Sequence, residues 1–261
     1  MGVGRPVRTS IVVISLPDAI DRRAVFTARA AKTALPWRWF DARRELGPEL
    51  EHDPDEAIVS KGRPMYPGEL GCYASHYAAW IAFLESDADQ LLVLEDDTIV
   101  DWGFLEKLVD VDLDAAGVAY LRVYAKRACA FRTILRNAIE RQRSVIEFLD
   151  RPLGTQGYVL TRAGARRLVP HCRRVRRPID DELDRSWDHG IRTLCVFPFP
   201  VIEESTASSI DAARWDPYVM PARLRLRRYR TRLTDRALKV RRSLRRLADR
   251  GGSRLRTLVV A

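Results

Sequence analysis

The sequence predicts an α/β fold in which a Rossmann-like mixed sheet is flanked by helices, with a basic helical appendage at the carboxyl end. Three observations favour this class. The chain opens with strand, helix and strand patterns over residues 8–46, an order typical of parallel sheets. A further buried strand at 91–94 follows a long helical stretch. With 261 residues, 46% of them hydrophobic, the chain can bury a full core.

The first part of the chain alternates strand and helix patterns. Residues 8–16 (RTSIVVISL) form an apolar run typical of a buried strand, and a helix-like stretch follows that ends near Pro36. The pattern at 37–46 is extended again, and residues 45–66 are polar and loop-like. A helix is predicted to begin near Pro67. One face of this helix carries Glu69, Cys72, Tyr73, His76 and Trp80.

Residues 118–150 are the hardest part of the chain to interpret. Residues 118–125 (VAYLRVYA) predict a strand, whereas residues 129–149 predict a helix or a mobile loop. The arginines of this segment have two interpretations, an anion-facing surface or a solvated helix, and the solvated helix is favoured. We therefore assign no functional residue to it.

Three further segments complete the predicted domain. Residues 154–160 (GTQGYVL) predict a strand that runs into a helix at 161–172, with Thr161 as its N-cap. An acidic segment, PIDDELDRSWDHGI, occupies 178–191, and residues 193–202 (TLCVFPFPVI) predict one more strand. The main domain is therefore expected to span residues 1–220.

The net charge of +10 is concentrated in the last 41 residues. From residue 221 to 261 there are 15 Lys and Arg against Asp235 and Asp249, a net +13, so residues 1–220 carry about −3. Apolar residues in this tail recur every three or four positions and predict one stripe on a basic helix that Gly251 and Gly252 end. The stripe consists of Leu226, Tyr229, Leu233, Ala237, Val240, Leu244 and Leu247.

Three partners are compatible with this basic amphipathic tail. An anionic membrane surface is the first, since each cation near such a surface contributes on the order of 1 kcal/mol. The second is an apolar contact with residues 1–220 or with a second copy of the chain. RNA is the third, but the sequence has no accompanying RNA-binding motif, so no nucleic acid is expected as a partner.

The cysteines and the amino-terminal segment predict a cytoplasmic protein. The four cysteines lie far apart and form none of the close pairs typical of zinc or redox sites. The apolar run at 11–14 is too short for a signal peptide or a membrane span. We expect a cytoplasmic location, with peripheral attachment at the inner membrane face if the tail binds lipid.

The segment LLVLEDD, residues 91–97, predicts a cation site. Four apolar residues lead directly into Glu95, Asp96 and Asp97, whose mutual repulsion is unfavourable unless a cation offsets it. Glu95 and Asp97 lie on one side of an extended chain, at the carboxyl end of a strand, where open α/β sheets bind ligands. Mg²⁺ and Mn²⁺ prefer such oxygens, so a metal bridging a diphosphate is the functional interpretation. A solvated acidic turn is the alternative.

Four blocks of the sequence carry a family resemblance, and the pairing of GELGCYASH with LEDD is its most specific feature. The blocks are VVISLPDAIDRR near the start, PGELGCYASHYAAW at 67–80 followed by LLVLEDD, GTQGYVLTRAGARRLV at 154–169, and PIDDELDRSWDHGI at 178–191. Over about residues 10–210 the chain thereby resembles glycosyltransferase family 25. This family comprises bacterial lipopolysaccharide and lipooligosaccharide sugar transferases related to collagen galactosyltransferases.

The resemblance implies a GT-A-like fold, a nucleotide-sugar donor such as a UDP-hexose, a divalent metal and inversion at the anomeric carbon. It matches Glu95, Asp96 and Asp97 to the acidic motif, with Glu95 and Asp97 on Mn²⁺ or Mg²⁺ and Asp96 toward the donor. It also implies donor-binding roles for Arg22, Arg23, Glu69, Ser75 and His76.

An inverting transfer needs a general base for the acceptor hydroxyl. Asp180, Asp181 and Glu182 are the candidates, and Asp180 is chosen because it matches the family's Pro-x-Asp block, with Asp181 beside it. The alternative for Asp180 is an acidic helix start favoured by the helix dipole.

Each of the other assigned residues also has a structural alternative. His76 is either a donor-pocket residue or a satisfied core histidine, and Arg22 and Arg23 either contact phosphate or cover a helix. His52, His171 and His189 are interpreted as structural or surface residues.

The chain departs from the family pattern at two places. Ser15 stands where many relatives have Asn, and IEES at 202–205 stands where a Gln is common, so no role is assigned to Glu203. The predicted function is a metal-dependent transfer of a hexose, with galactose as a candidate, to a lipopolysaccharide-type glycan or glycolipid. The alternative is a non-catalytic protein that binds nucleotide sugars or nucleic acid.

Overall fold

The computed structural model describes residues 6–204, 218–248 and 258. The strands are β1 Thr9–Ser15, β2 Trp37–Asp41, β3 Glu51–His52, β4 Gln90–Glu95, β5 Thr98–Val100, β6 Tyr120–Arg122, β7 Phe131–Arg136, β8 Ser144–Phe148, β9 Gly157–Thr161, β10 Arg174–Val175, β11 Leu194–Phe197 and β12 Val201–Glu203. The helices are α1 Ile20–Ala30, α2 Pro54–Lys61, α3 Pro67–Glu85, α4 Trp102–Leu108, α5 Arg162–Cys172, α6 Ile179–Leu183, α7 Ser186–His189 and α8 Ala222–Ala248.

An eight-stranded sheet in the order β2-β1-β4-β9-β6-β11-β8-β7 forms the centre of the molecule. β2, β1 and β4 are parallel, β9 lies antiparallel between β4 and β6, and β11 is parallel to β6. β8 and β7 complete the edge as an antiparallel pair. This mixed sheet confirms the predicted Rossmann-like α/β class.

Both faces of the sheet are covered, which explains the uninterrupted apolar runs of β1 and β4. Alternate side chains of these strands, such as Val13 and Leu92, pack in one core with α1 and α4. The intervening side chains, such as Val12 and Val93, pack in a second core with α3 and α5. Burying each of these aliphatic side chains contributes about 1.5–3 kcal/mol, so the middle of the sheet is a rigid support for the turns at its edge.

Several predicted elements are confirmed. β1, α3 and β4 occupy the predicted positions, and the Thr161 hydroxyl accepts a hydrogen bond from the Gly164 amide as the N-cap of α5. α1 ends at Ala30, earlier than predicted. The single strand predicted at 193–202 is two strands, β11 and β12, because two prolines interrupt the run and remove backbone donors.

The prediction of a loop across residues 45–66 is wrong for α2. Asp53 caps this helix by accepting from the Glu56 amide, Pro54 occupies its first position, and Gly62 ends it with a φ of 102°. Only eight residues long, the helix has a weak periodic signal and depends on burial of its apolar side chains.

The prediction of a helix or mobile loop at 129–149 is also wrong. β7 and β8 pair antiparallel in this segment, and the connecting residues Asn137, Ile139 and Gln142 have positive φ angles. Arg132 on β7 donates to Glu147 on β8. The two strands pair with partners distant in the chain, and no local sequence pattern encodes that pairing.

The tail helix α8 packs against α2. Leu224 is buried with Ile58 and Val59, and the Arg228 guanidinium donates to the carbonyls of Val59 and Ser60. Further along, Asp235 forms an ion pair with Arg185, Lys239 with Asp150, and Arg242 donates to the Gly190 carbonyl. Polar side chains therefore attach most of the helix to the main domain.

The described part of the predicted apolar stripe is largely exposed to solvent, and two of its members, Tyr229 and Leu233, border a cavity between α8 and the main domain. Leu226, Tyr229, Leu233, Val240 and Leu244 are between 50% and 62% exposed. A contact between this stripe and residues 1–220 is therefore not what holds α8 in place. The predicted helix end at Gly251 and Gly252 lies outside the described residues. Across the described ranges, no helix is both long and apolar enough to cross a membrane.

Candidate active site

The acidic residues form a tight turn at the carboxyl end of β4. Glu95 ends the strand, its amide donates to the Gln156 carbonyl, and the Thr98 hydroxyl donates to the Glu95 carbonyl over 2.7 Å. The turn lies beyond the carboxyl end of β4, beside the carboxyl end of its parallel neighbour β1. This is the position that the sequence predicts.

Asp97 has the environment expected of a cation ligand. Its Oδ1 is buried and has no hydrogen-bond partner among the described residues. Burial, followed by the charges of Glu95, Asp96 and Glu203, raises the pKa of Asp97 to about 7. A carboxylate in this setting is unfavourable until a proton or a cation neutralises it.

Asp96 is held by the amino-terminal part of the chain. Its Oδ2 accepts from the Ser15 hydroxyl over 2.6 Å, and its Oδ1 lies 3.3 Å from a guanidinium nitrogen of Arg22. Burial raises the pKa of Asp96, although the Ser15 and Arg22 contacts oppose this. Arg22 therefore faces the acidic turn, where its remaining donors can meet an anionic ligand.

Arg23 is directed elsewhere. Its guanidinium donates to the Ser15 carbonyl and to Asp41, and it lies 4.9 Å from the centre of the Trp39 ring. These contacts connect α1 to β1 and β2. Of the predicted basic pair, the structure brings Arg22 to the acids and uses Arg23 for packing.

Glu95 has two polar neighbours at one of its oxygens. Oε1 accepts from the Thr155 hydroxyl over 2.6 Å and lies 3.4 Å from His76 Nε2. Burial raises the pKa of Glu95, but the His76 ring and the Thr155 hydroxyl outweigh burial, so the net pKa is lowered. Glu95 is therefore ionised at neutral pH, which leaves its other oxygen able to bind a cation.

A buried network orients His76. Trp80 Nε1 donates to the Tyr158 hydroxyl, and that hydroxyl lies 2.9 Å from His76 Nδ1. The hydroxyl proton satisfies Nδ1, so the ring proton belongs on Nε2, which faces Glu95. Nε2 has no hydrogen-bond partner within the described part of the chain, although His76 is only 1% exposed.

Cys72 joins this group from one turn earlier in α3. The ligand atoms of Cys72, His76 and Glu95 lie within 4.8 Å of one another. Burial, then the charges of Glu95, Asp180 and Asp97, raises the pKa of the Cys72 thiol well above its usual value. Cys72 therefore stays a neutral thiol amid carboxylates.

Glu203 reaches the acids from β12. β12 pairs antiparallel with β5, which sets Glu203 opposite Thr98. The Glu203 carboxylate accepts from the Tyr124 hydroxyl over 2.6 Å and from Lys126 Nζ over 2.9 Å. Glu203 was given no role from the sequence because IEES stands where a Gln is common in the family. The strand pairing that brings it to the acids links distant segments and leaves no local signal.

The candidate bases differ in their availability. Glu182 is fully buried with His171, Arg176 and Arg177, and its pKa is far below its usual range because these groups outweigh burial. Asp181 forms an ion pair with Arg151. Among the described residues, Asp180 accepts hydrogen bonds from the amides of Gly154 and Asp181 alone, so it keeps lone pairs for a substrate.

The loop at 153–156 connects the two acidic motifs. The Gly154 amide donates to Asp180, and the Thr155 hydroxyl donates to Glu95. Fully buried Arg122 supports the loop by donating to the Leu153 and Gly154 carbonyls and to Asp184. The predicted base and the predicted cation ligands therefore share one supported loop.

Glu69 and Ser75 lie apart from this cluster. Glu69 caps α3 by accepting from the Tyr66 amide, and it forms a two-point ion pair with Arg63. The Ser75 hydroxyl accepts from the Arg43 amide and donates to the Gly71 carbonyl. Their side chains are occupied by structural contacts, so their predicted donor-binding roles stay predictions without a geometric argument.

Sequence reasoning missed Thr155, Tyr158 and Tyr124 as members of the site. Thr155 and Tyr158 lie within the quoted block at 154–169, so a signal for them existed in the strand that follows the Gly-Thr-Gln turn. Cys72 was predicted to share a helix face with His76, and the structure confirms that face. Its thiol was not expected beside the carboxylates.

The residues of the acidic turn fit a divalent metal. Asp97 Oδ1 is an unpartnered buried oxygen, and Glu95 Oε2 accepts no hydrogen bond within the described ranges. Mg²⁺ and Mn²⁺ select such carboxylate oxygens. Glu95 and Asp97 would hold the ion. The Cys72, His76 and Glu95 atoms form a second, softer donor set that shares Glu95.

A sequence model of the family described as "Glycosyltransferase family 25 (LPS biosynthesis protein)" matches residues 8–183, more than half of the chain. The matched range contains the acidic turn, the loop at 153–156 and Asp180, and it ends before β12 and α8.

Curated relatives cover parts of the same range. Human procollagen galactosyltransferase 2 is 30% identical over 109 residues, which are 41% of this chain and 17% of the relative. A Haemophilus influenzae protein named "Putative glycosyltransferase" is 25% identical over 177 residues, 66% of this chain and 60% of the relative. Human inactive glycosyltransferase 25 family member 3 is 28% identical over 193 residues, 68% of this chain and 31% of the relative. The chain therefore spans less than two thirds of each relative.

Proposed function

Since this chain belongs to glycosyltransferase family 25, we propose that it transfers a hexose, with galactose as a candidate, from a nucleotide-sugar donor to a lipopolysaccharide-type glycan. The observation that carries the proposal is Asp97, whose buried and unpartnered oxygen sits in a cluster of carboxylates. A cation and the diphosphate of a UDP-hexose would complete this cluster. The fold alone would support many other functions.

Each neighbouring residue has a proposed part in donor binding. Glu95 and Asp97 hold Mn²⁺ or Mg²⁺, which when bound offsets the negative charge that develops on the departing diphosphate. Arg22, which already contacts Asp96, adds a second positive group at the same place. Tyr158 and Trp80 keep the His76 ring fixed beside Glu95.

Asp180 is the proposed general base. Its carboxylate takes the proton of the acceptor hydroxyl as that oxygen attacks the anomeric carbon from the face opposite the diphosphate, which inverts the configuration. Two backbone amides orient Asp180 without neutralising its charge. Asp181 supports it by holding Arg151 at the same helix end.

The test separates these two roles with single substitutions. We expect Asp97→Asn to lower Mn²⁺-stimulated donor turnover about a hundredfold or more, because a ligand of the ion is lost. Asp180→Asn should leave the donor Kd within about threefold while lowering transfer by on the order of a hundredfold. Donor binding is measured by thermal shift with Mn²⁺ over a panel of nucleotide sugars, and turnover by release of the nucleotide.

Asp87→Asn serves as the matched control, because this side chain is 93% exposed and lies outside the site. Equal losses of donor affinity in the Asp97 and Asp180 variants would contradict the separate roles. Donor binding by the unmodified chain, with neither hydrolysis nor transfer, would support the alternative of a non-catalytic nucleotide-sugar-binding protein. We consider this alternative because one human relative is named as an inactive member of the family.

The tail supports a proposal about location. The exposed apolar stripe of α8 is flanked by arginines, a combination that suits an anionic membrane surface. A glycolipid acceptor at that surface would then lie close to the enzyme.

A further inference from the structure

A cavity of 740 Å³ lies between part of α8 and the main domain. Its lining combines residues of α8 with residues from the end of α2, the loop at 151–153 and the α6 and α7 region. Eight basic side chains line it: Lys61, Arg151, Arg177, Arg185, Arg228, Arg232, Arg236 and Lys239. Of the described residues, two acids belong to the lining, Asp181 and Asp235. The volume suits a ligand of several rings.

Most of these basic groups are already neutralised. Five of the eight form ion pairs: Arg151 with Asp181, Arg185 with Asp235, Lys239 with Asp150, Arg177 with Glu182 and Lys61 with Glu69. The paired groups therefore shape the cavity more than they attract a ligand.

Three arginines that line the cavity from α8 form no ion pair with any described residue. Arg228 donates only to neutral backbone carbonyls, and Arg232 and Arg236 have no ion-pair or hydrogen-bond partner anywhere in the described ranges. They stand four residues apart on one helix face, where like charges repel. Burial, and then the charge of Arg232, lowers the pKa of Arg228. An anion bound between them would relieve this repulsion.

The cavity borders the candidate active site. Leu153 and Asp181 belong to its lining. Asp181 follows the proposed base Asp180, and Leu153 is two residues before Thr155, which donates to Glu95. Two residues of chain span at most about 7 Å. The cavity lining therefore includes residues next to both acidic motifs in the chain.

The lining indicates the chemical class of the ligand. Arginines bind phosphate in a two-point geometry, so a phosphate group suits the row formed by Arg228, Arg232 and Arg236. Trp187 and Tyr229 add aromatic surface, and the Trp187 indole N–H has no partner among the residues described. An aromatic ring beside unused polar donors fits a saccharide, which has apolar faces and hydroxyl edges.

We propose that this cavity binds a phosphate-bearing saccharide, and that this saccharide is the acceptor of the transfer. The identification as acceptor rests on the proposed function, whereas the binding of a sugar phosphate does not. A concave space closed on two sides admits a soluble or protruding head group and excludes a flat bilayer, so a saccharide is favoured over the membrane surface itself.

Calorimetric titration with glucose 6-phosphate tests the proposal, with glucose as the neutral probe. The unmodified chain should bind the phosphate and not the neutral sugar. R232A/R236A should weaken glucose 6-phosphate binding at least tenfold. R225A/R230A removes the same charge from the same helix outside the cavity lining, and it should change the affinity less than twofold.

Equal affinities of the two double variants for glucose 6-phosphate would overturn the proposal. It would also be overturned if R232A/R236A lost binding to phosphatidylglycerol vesicles and kept its affinity for glucose 6-phosphate, since the arginines would then serve a lipid surface. Donor hydrolysis by the unmodified chain with Mn²⁺ is measured in parallel. Its absence would count against the proposed function and leave the titration result standing.

Discussion

Asp97 shows how one side chain can be unfavourable for folding and useful for binding. Its Oδ1 is buried without a donor, and burial together with three neighbouring carboxylates raises its pKa to about 7. A fold optimised for stability alone would place a neutral or apolar residue there. Such perturbed groups are concentrated at functional sites, where binding of the missing charge restores the lost free energy.

This reasoning predicts the pH dependence of stability. The folded pKa of Asp97, about 7, exceeds its unfolded value, so the folded chain binds the extra proton and loses stability as pH rises from about 4 to about 7. In the metal-free protein, Asp97→Asn should therefore raise the free energy of unfolding at pH 8 by on the order of 2 kcal/mol, within the maximum that the shift allows. At pH 4 the gain should vanish.

Denaturant unfolding in the presence of a chelator measures both values. If Asp97→Asn were less stable than the unmodified chain at pH 8, the ionised Asp97 carboxylate would have a stabilising partner, and the prediction would be wrong. Asp87→Asn again provides the exposed control.

Cys72 tests which donor set holds the ion. Its thiol pKa lies well above the usual value, through burial and then the charges of Glu95, Asp180 and Asp97, so the thiolate that metals prefer is disfavoured. If carboxylate oxygens bind the ion, Cys72→Ser should change the Mn²⁺ Kd less than twofold. Titration calorimetry gives this value. A tenfold loss of affinity would assign the ion to the Cys72, His76 and Glu95 set instead.

At the scale of elements, α3 positions the site through a close backbone contact. A Cβ on Gly71 would lie 2.6 Å from the Arg43 carbonyl oxygen and 3.1 Å from that of Arg44, both of them backbone atoms. The Ser75 hydroxyl bonds to the same region one turn later. The motif GELGCYASH thus has a packing reason for its second glycine and its serine, and this contact sets where His76 lies.

Gly71→Ala should accordingly destabilise the protein by about 1–3 kcal/mol, because α3 has to move away from a backbone that cannot yield. Gly103 in α4 provides the matched control, since its nearest neighbour to a new Cβ is a side-chain oxygen at 3.8 Å. Gly103→Ala should be neutral or stabilise by up to about 1 kcal/mol. Thermal unfolding compares the two. Similar effects from both substitutions would contradict the close contact.

The elements also explain which predictions succeeded. β4 was predictable because both of its faces are buried, which gives a continuous apolar run. α3 was predictable because one wide face of the helix is buried, which gives a long apolar pattern. The β7–β8 hairpin was not, because its strands depend on partners across the sheet. In the site, Glu95 and Asp97 follow directly from one short segment. Glu203 reaches them only through the β12–β5 pairing, which no local pattern encodes.

At the scale of the whole molecule, polar side chains attach α8 to the main domain, while most of its described apolar stripe is exposed to solvent. This arrangement predicts vesicle binding through the stripe. L233E/V240E changes two exposed stripe residues, and it should abolish co-sedimentation with phosphatidylglycerol vesicles, because apolar burial is replaced by repulsion. T231E/T234E adds the same charge beside the stripe.

Vesicle binding retained by L233E/V240E, or lost equally in both double variants, would contradict a role for the stripe. If both double variants lost vesicle binding equally, the net charge of the tail would be enough to explain its attraction to the anionic vesicles. Point variants are preferred to removal of the tail, because α8 covers Ile58 and Val59.

The central claim is that the carboxylates at the end of β4 bind a divalent ion together with the donor diphosphate. An anomalous difference map from a crystal soaked with Mn²⁺ and a UDP-hexose tests it most directly. We expect one strong peak at about 2.2 Å from Asp97 and Glu95 oxygens, with the diphosphate on its other side near Arg22. Manganese bound elsewhere, with the nucleotide away from this turn, would contradict the account.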